Sequence, residues 1–137
     1  MARILAIDYG KKRTGIAVTD PLQIIATGLT TISTPDFIPF LKKYLDKEEV
    51  ELFLMGYPLN LDDSETHGTP LVKRAIKDLK KHFPEIPVKT ADERYTSKMA
   101  AQTLIDSGLK KKKRRQKALL DETSATILLQ EYLQSLE

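Results

Sequence analysis

Arg3-Ile4-Leu5-Ala6-Ile7-Asp8-Tyr9-Gly10-Lys11-Lys12-Arg13-Thr14-Gly15-Ile16-Ala17-Val18-Thr19 is the stretch that decides the fold. From Ile4 to Ile7 every residue is apolar, without alternation, as in a central strand covered on both faces. Asp8 ends that run. Tyr9 to Arg13 reads as a turn and Thr14 to Thr19 as the returning strand of a hairpin. A carboxylate at the end of a buried strand costs free energy unless it is paired or binds a cation. Asp is also a common turn former, so Asp8 has a structural reading beside the functional one. Gly10 and Gly15 leave room for close backbone approach.

Working outward, Ile24 to Ile32 is expected to form a third strand. The period then changes. Phe37, Ile38, Phe40, Leu41, Tyr44 and Leu45 fall at helical spacing within Pro35 to Lys47, with Thr34 as an N-cap and Pro35 in the first turn. Glu51 to Met55 reads as a strand ended by Gly56-Tyr57-Pro58, and a polar stretch from Asn60 to Thr69 follows. Leu71 to Phe83 is an amphipathic helix stopped by Pro84, and Ile86 to Thr90 is a fifth strand. Thr96 to Ser107 reads as a helix ending at Gly108, and Lys117 to Leu136 as a long last helix. Three strands joined by hairpins and followed by βα crossovers imply an α/β fold. It has a five-stranded mixed sheet with helices on both faces, the element order of the RNase H-like fold. Residues 1–137 are expected to make one domain.

Composition narrows the chemistry. The 137 residues are 41% hydrophobic, enough for one core, and no apolar run approaches the roughly 20 residues that span a bilayer. The segment before Asp8 is too short for a signal peptide. The absence of cysteine excludes disulfides, thiolate zinc sites and a cysteine nucleophile, and fits a cytoplasmic protein. The net charge is only +3, from 22 basic and 19 acidic residues, but the basic ones cluster. Lys110, Lys111, Lys112, Lys113, Arg114 and Arg115 form an unbroken run, and Lys11-Lys12-Arg13 a second cluster. Such clusters attract polyanions through phosphate neutralisation, although most charge runs are solvated faces.

Two further acids join Asp8 as candidates. Asp92-Glu93-Arg94 follows the fifth strand directly. Acids and an arginine there suit metal ligation and phosphate contact, or equally the acidic start of a helix. Asp121 stands in line with Ala125, Leu128 and Tyr132 on the stripe of the last helix expected to face the sheet, with Leu129 close by. Carboxylates hold magnesium or manganese, and paired ions of this kind hydrolyse phosphodiesters. His67 and His82 are not at ligand spacing, and no Ser/His/Asp set is suggested.

At four places the chain resembles the YqgF (RuvX) family. Asp8-Tyr9-Gly10-Lys11-Lys12-Arg13-Thr14-Gly15-Ile16-Ala17 is similar to its opening D-x-G-x-K-R-x-G-[IV]-A motif. Met55-Gly56-Tyr57-Pro58-Leu59-Asn60 is similar to its V-G-x-P loop, and Asp92-Glu93-Arg94-Tyr95-Thr96-Ser97 to its D-E-R-x-T-T motif. Asp121 through Ala125 to Tyr132 is similar to its final helix. The chain departs from the pattern in lacking the glycine usual near Asp63 and in carrying Ser97 where threonine is common. It also offers no acid on the fourth strand, where relatives in the wider fold often have one; Asp92 is a fourth ligand or a neighbour.

The resemblance implies an RNase H-like nuclease related to Holliday-junction resolvases. Its implied task is maturation of the 5′ end of pre-16S rRNA, in a ribosomal context, or else cutting of branched DNA. It implies catalytic and metal-binding roles for Asp8, Glu93 and Asp121 with Mg2+ or Mn2+. Nucleic acid would be held by Lys12, Arg13 and Arg94, joined by the basic run at 110–115. Gly10, Gly15, Gly56, Tyr57, Pro58 and Asn60 would shape the site. Two other classes stand beside this one. A non-catalytic RNA-binding module would keep the basic patches and use the acids structurally. The Asp8-x-Gly10 hairpin also resembles the phosphate loop of actin-like and sugar-kinase ATPases, but those need two such domains. The sequence is silent on oligomeric state, although a resolvase would act as a symmetric dimer.

Overall fold

The computed structural model describes residues 2–57, 68–92 and 117–136, without the side chains of residue 92 and residues 117–122. Five strands form one sheet: β1 (Arg3–Tyr9), β2 (Arg13–Thr19), β3 (Ala26–Ser33), β4 (Val50–Tyr57) and β5 (Val88–Asp92). Their order across the sheet is β3-β2-β1-β4-β5. β1 is therefore central, antiparallel to β2 and parallel to β4, and β5 continues the parallel half. A short 3-10 turn at Thr34–Asp36 leads into α1 (Phe37–Lys47); α2 (Thr69–His82) joins β4 to β5, and α3 (Lys117–Ser135) is last.

The unbroken apolar run of β1 follows from burial on both sides. Leu5 and Ile7 join Ile16, Phe53, Met55, Leu41, Val72 and Leu79 in the core under α1 and α2. Ile4 and Ala6 point the other way, to Ala17, Leu54, Ala125, Leu128 and Leu129 under α3. The period of two along a strand thus assigns each β1 residue to one helical layer. Ile4, Leu5, Ala6 and Ile7 are all buried, at 0–2% exposure.

The direction of α3 follows from its ends. Gln130, Leu133 and Gln134 line a groove with Ile24, Ile25 and Ala26, at the start of β3. β3 runs parallel to β1, because each is antiparallel to β2. The last turns of α3 thus lie at the amino end of β1, and its early turns lie toward the carboxyl end. Asp121 precedes Leu133 by twelve residues, about 18 Å of helix. That exceeds the roughly 13 Å from Ile4 to Asp8 along β1.

Several boundaries differ from the sequence expectation. β3 begins at Ala26, not Ile24, because the carboxylate of Asp20 accepts the amides of Ile24 and Ile25 at 2.8 Å each and that of Leu22 at 3.2 Å. Those bonds make a loop of residues whose β-branched side chains suggest a strand. Leu22, Ile24 and Ile25 are left 60–66% exposed. Thr34 is not a helix cap: it lies in the 3-10 turn, and α1 starts at Phe37 behind Asp36. β4 and β5 run to Tyr57 and Asp92, each two residues past the expected ends. In the β2–β3 ladder Ile16 pairs with Thr30 and Ala17 with Gly28, so Leu29 bulges without a partner. The helix expected at 96–107 lies outside the described residues.

Candidate active site at the carboxyl end of the central strand

Asp8 is the sixth residue of β1 and half-buried. Alternation puts it on the Ile4–Ala6 side, the face covered by α3. Its neighbour on β2 is Gly15. On β4, Ile7 pairs with Met55, and the next position is Gly56, which pairs in turn with Ala91 of β5. Asp8 therefore stands in a row with Gly15, Gly56 and Ala91, none of which has a side chain beyond Cβ. Larger residues there would fill the space beside the carboxylate. The Asp8 carboxylate is a hard oxygen donor, of the type that suits magnesium and manganese.

Asp121 lies in α3 one helical turn before Ala125, which is fully buried against the sheet. Ala125, Leu128 and Leu129 are buried and Tyr132 packs beside them, so the apolar stripe faces the sheet as its spacing predicts. Asp8 and the Asp121 backbone thus share one side of the sheet. Asp92 ends β5 opposite Tyr57. Among the described residues no three histidine or acidic side chains gather as a metal-binding group. Glu93, Arg94, Pro58, Asn60, His67 and the basic residues at 110–115 lie outside the described residues, as do the side chains of Asp92 and Asp121.

The loop between β1 and β2 is held from below. The Thr34 amide donates to the Lys12 carbonyl at 3.0 Å, and the Thr34 hydroxyl donates to the Gly10 carbonyl at 2.6 Å. Thr14, fully buried, reaches the Thr34 hydroxyl at 3.0 Å. A Cβ at Gly10 would be driven into the Arg13 carbonyl oxygen, so only glycine fits there. Lys11 and Lys12 are exposed and Arg13 half-buried at the start of β2. Tyr9 packs edge-on against Phe37, with ring centroids 5.3 Å apart, which ties the loop to α1. Burial pushes the Tyr9 hydroxyl above the ordinary phenol range, Asp78 adds to the shift and Arg74 opposes it. The phenol is a neutral hydrogen-bond donor at neutral pH. On the far side, Lys89 of β5 donates to the Tyr132 hydroxyl at 3.4 Å and lies over its ring, joining β5 to α3. Sequence reasoning missed Thr34 as a site residue, because its partners lie twenty or more positions away.

Comparison with known proteins agrees with this architecture. The pattern defining the RuvX family, described as a Holliday junction resolvase, matches residues 2–135. A Christiangramia forsetii protein named "Putative pre-16S rRNA nuclease" is 56% identical over 133 residues, covering 97% of this chain and 98% of its own. A Phocaeicola vulgatus protein of the same name is 53% identical over 135 residues, covering 98% and 97%. Among solved structures, Thermus thermophilus RuvC in complex with a Holliday junction superimposes with a TM-score of 0.59 at 16% identity, covering 99% of this chain and 96% of that one. A second structure of T. thermophilus RuvC gives 0.56 at 15% identity, covering 98% and 95%. These two likenesses establish the RNase H-like fold. With its family pattern matched almost end to end and relatives more than half identical over nearly their full length, the chain belongs to the RuvX family.

Proposed function

We propose that this protein is a divalent-metal-dependent nuclease that hydrolyses phosphodiester bonds at the carboxyl end of β1, with precursor 16S rRNA as its substrate. The observation that carries the reading is the position of Asp8, a half-buried acid flanked by Gly15, Gly56 and Ala91 on the α3 side of the sheet. Asp121 belongs to the helix covering that side, and Glu93 follows the end of β5 directly in the sequence. These three acids are the ligand set we assign. A bound magnesium or manganese ion supplies a Lewis acid for the phosphodiester and acidifies water at neutral pH.

The chain's own residues do the rest. Asp8, Glu93 and Asp121 hold the ion. Lys12 and Arg13, on the loop fixed by Thr34, contact phosphate oxygens beside the cut, together with Arg94 and the basic run at 110–115. Such contacts position a strand without reading its bases, so selectivity comes from RNA shape. The names of the relatives support the rRNA precursor as substrate. A pre-rRNA substrate implies work in the cytoplasm and in a ribosomal context, a reading with which the lack of cysteine is compatible. The family description favours a second reading, a four-way DNA junction as substrate of the same acids.

The test is cleavage of a pre-16S rRNA 5′-end fragment and of a four-way DNA junction, in magnesium, manganese or EDTA. Removing a partner that merely supports a metal ligand costs about 10–100-fold, so Asp8→Asn, which removes a ligand, should lower cutting at least ~100-fold. Cutting of the junction but not the RNA would move the substrate to DNA. Cutting unaffected by EDTA or by Asp8→Asn would overturn the metal site.

A further inference from the structure

On the other side of β1 from Asp8 lies a cleft of about 530 Å³, lined by Tyr9, Gly10, Lys11, Pro70, Leu71 and Arg74. Its volume is within the roughly 300–1,000 Å³ of ligand clefts. It opens where the β1–β2 loop meets the first turns of α2. Two cations flank it: Lys11 from the loop and Arg74 from the exposed side of α2. Among the described residues neither has a carboxylate within ion-pairing distance. Asp78, one helical turn after Arg74, also acts on Tyr9, but it makes no ion pair with either cation, so both remain open to an anion in the cleft. Both residues that flank Lys11 have their carbonyls bound by Thr34, so the loop that presents this side chain is fixed. Tyr9 adds a neutral hydroxyl and part of an aromatic face.

We propose that this cleft binds the phosphodiester backbone of the substrate strand, with Lys11 and Arg74 as its phosphate contacts. This rests on the nuclease reading, because it makes the cleft the continuation of the strand's path. Asp8 and Tyr9 are successive residues on opposite faces of one strand. A nucleic-acid strand passing over the carboxyl edge of the sheet leaves the acids on the α3 side and enters the cleft on the α2 side. The contacts are to phosphate, so the cleft fixes the path of the strand and not its sequence. Neither Lys11 nor Arg74 touches the bond that is cut; both are positioning residues.

The test is binding of a fluorescent single-stranded RNA, and of DNA of the same sequence, followed by anisotropy across a salt series. The protein is the full chain carrying Asp8→Asn, in EDTA, so that the strand stays intact. Each phosphate contact on a single strand contributes about 0.7 to the slope of log K against log salt. Adding Lys11→Gln with Arg74→Gln should lower that slope by about 1.4 and weaken binding roughly tenfold at 0.1 M salt. Lys80→Gln with Lys81→Gln, an equal charge change at the far end of α2, should leave the slope in place. Arg74→Lys should keep it as well. Loss on both strands assigns the cleft to phosphate in either nucleic acid, and loss on RNA only assigns it to RNA. An unchanged slope in the Lys11/Arg74 variant, an equal fall in the Lys80/Lys81 variant, or no binding of either strand by the parent protein overturns the proposal. Cleavage by the wild type in magnesium is scored separately. Cutting with an unchanged slope removes the cleft alone, whereas a lowered slope without cutting removes the nuclease reading alone.

Discussion

The hydroxyl of Thr34 donates to the carbonyl of Gly10 at 2.6 Å across 24 positions of sequence. Its proton is thereby committed, so the buried Thr14 hydroxyl, 3.0 Å away, is the donor in the bond between the two threonines. One side chain links the turn before α1 to the loop beside Asp8. Thr34→Val keeps the shape and removes the hydroxyl. It leaves a carbonyl and a buried hydroxyl without their partner, at a cost of roughly 1–3 kcal/mol. Urea melts should show that loss. With the loop in its proposed role of holding substrate, cleavage should fall mainly through a higher KM, and Thr34→Ser should restore both. Full activity in the valine variant would show that the loop needs no such anchor.

Gly10 is the other half of the device. A methyl group there overlaps the Arg13 carbonyl oxygen, which is backbone and cannot swing aside. Gly10→Ala should fold, with a stability loss of about 1–3 kcal/mol. A displacement near 1 Å at a reacting centre costs about a hundredfold in rate. Single-turnover cleavage should fall by about that factor while the far-UV spectrum stays unchanged. Wild-type rates would place the loop outside the reaction.

Asp20 offers a pH test. Its carboxylate accepts the amides of Ile25, Ile24 and Leu22, and these bonds, that of Ile25 foremost, hold it below the usual carboxylate range against a smaller opposing effect of burial. A lowered folded-state pKa contributes stability above the unfolded value, near 3.9, and loses it as pH falls through the folded-state value. The stability gap between wild type and Asp20→Ala should therefore be full at pH 7 and constant down to about pH 5. It should shrink through pH 4 and below. Denaturant melts across that range read it directly. A gap that widens on acidification would contradict the sign.

Ser124 is 1% exposed in α3, and its hydroxyl has no hydrogen-bond partner among the described residues. An unsatisfied buried polar group costs about 1–3 kcal/mol. Ser124→Ala should accordingly stabilise the protein by about 1 kcal/mol, raising Tm by roughly 2–4 °C. A lower Tm would show that the hydroxyl is hydrogen-bonded in solution.

The central part of the fold was legible because its cause is local. Four apolar residues in a row before Asp8 demand cover on both faces, and the Ala125–Leu128–Leu129 stripe can only face the sheet. Asp8 was legible for the same reason, as the polar residue that ends the apolar run of a buried strand. The Ile24–Ile25 pair misleads, because side-chain preference favours a strand while three amides turn to Asp20 instead. Thr34 reads as a cap because threonine before proline and a helical period is the usual sign of one. Its actual partners, Gly10 and Lys12, are distant in sequence and leave no local trace. Arg74 is hidden differently: on an amphipathic helix every charged residue of the outer face looks alike until the cleft beside one of them is seen. The roles assigned to Glu93 and Asp121 came from motif and spacing.

The bulge at Leu29 has a consequence for how these molecules behave in a crowded solution. β3 is an outer strand, and an outer strand normally offers its free donors and acceptors to any passing chain. The extra residue throws the ladder out of phase midway along that strand. A foreign strand could match the stretch before Leu29 or the stretch after it, but not both in one register. The sheet therefore has a built-in stop on its β3 side, and fibre-like stacking through that side is opposed by backbone geometry and not by charge.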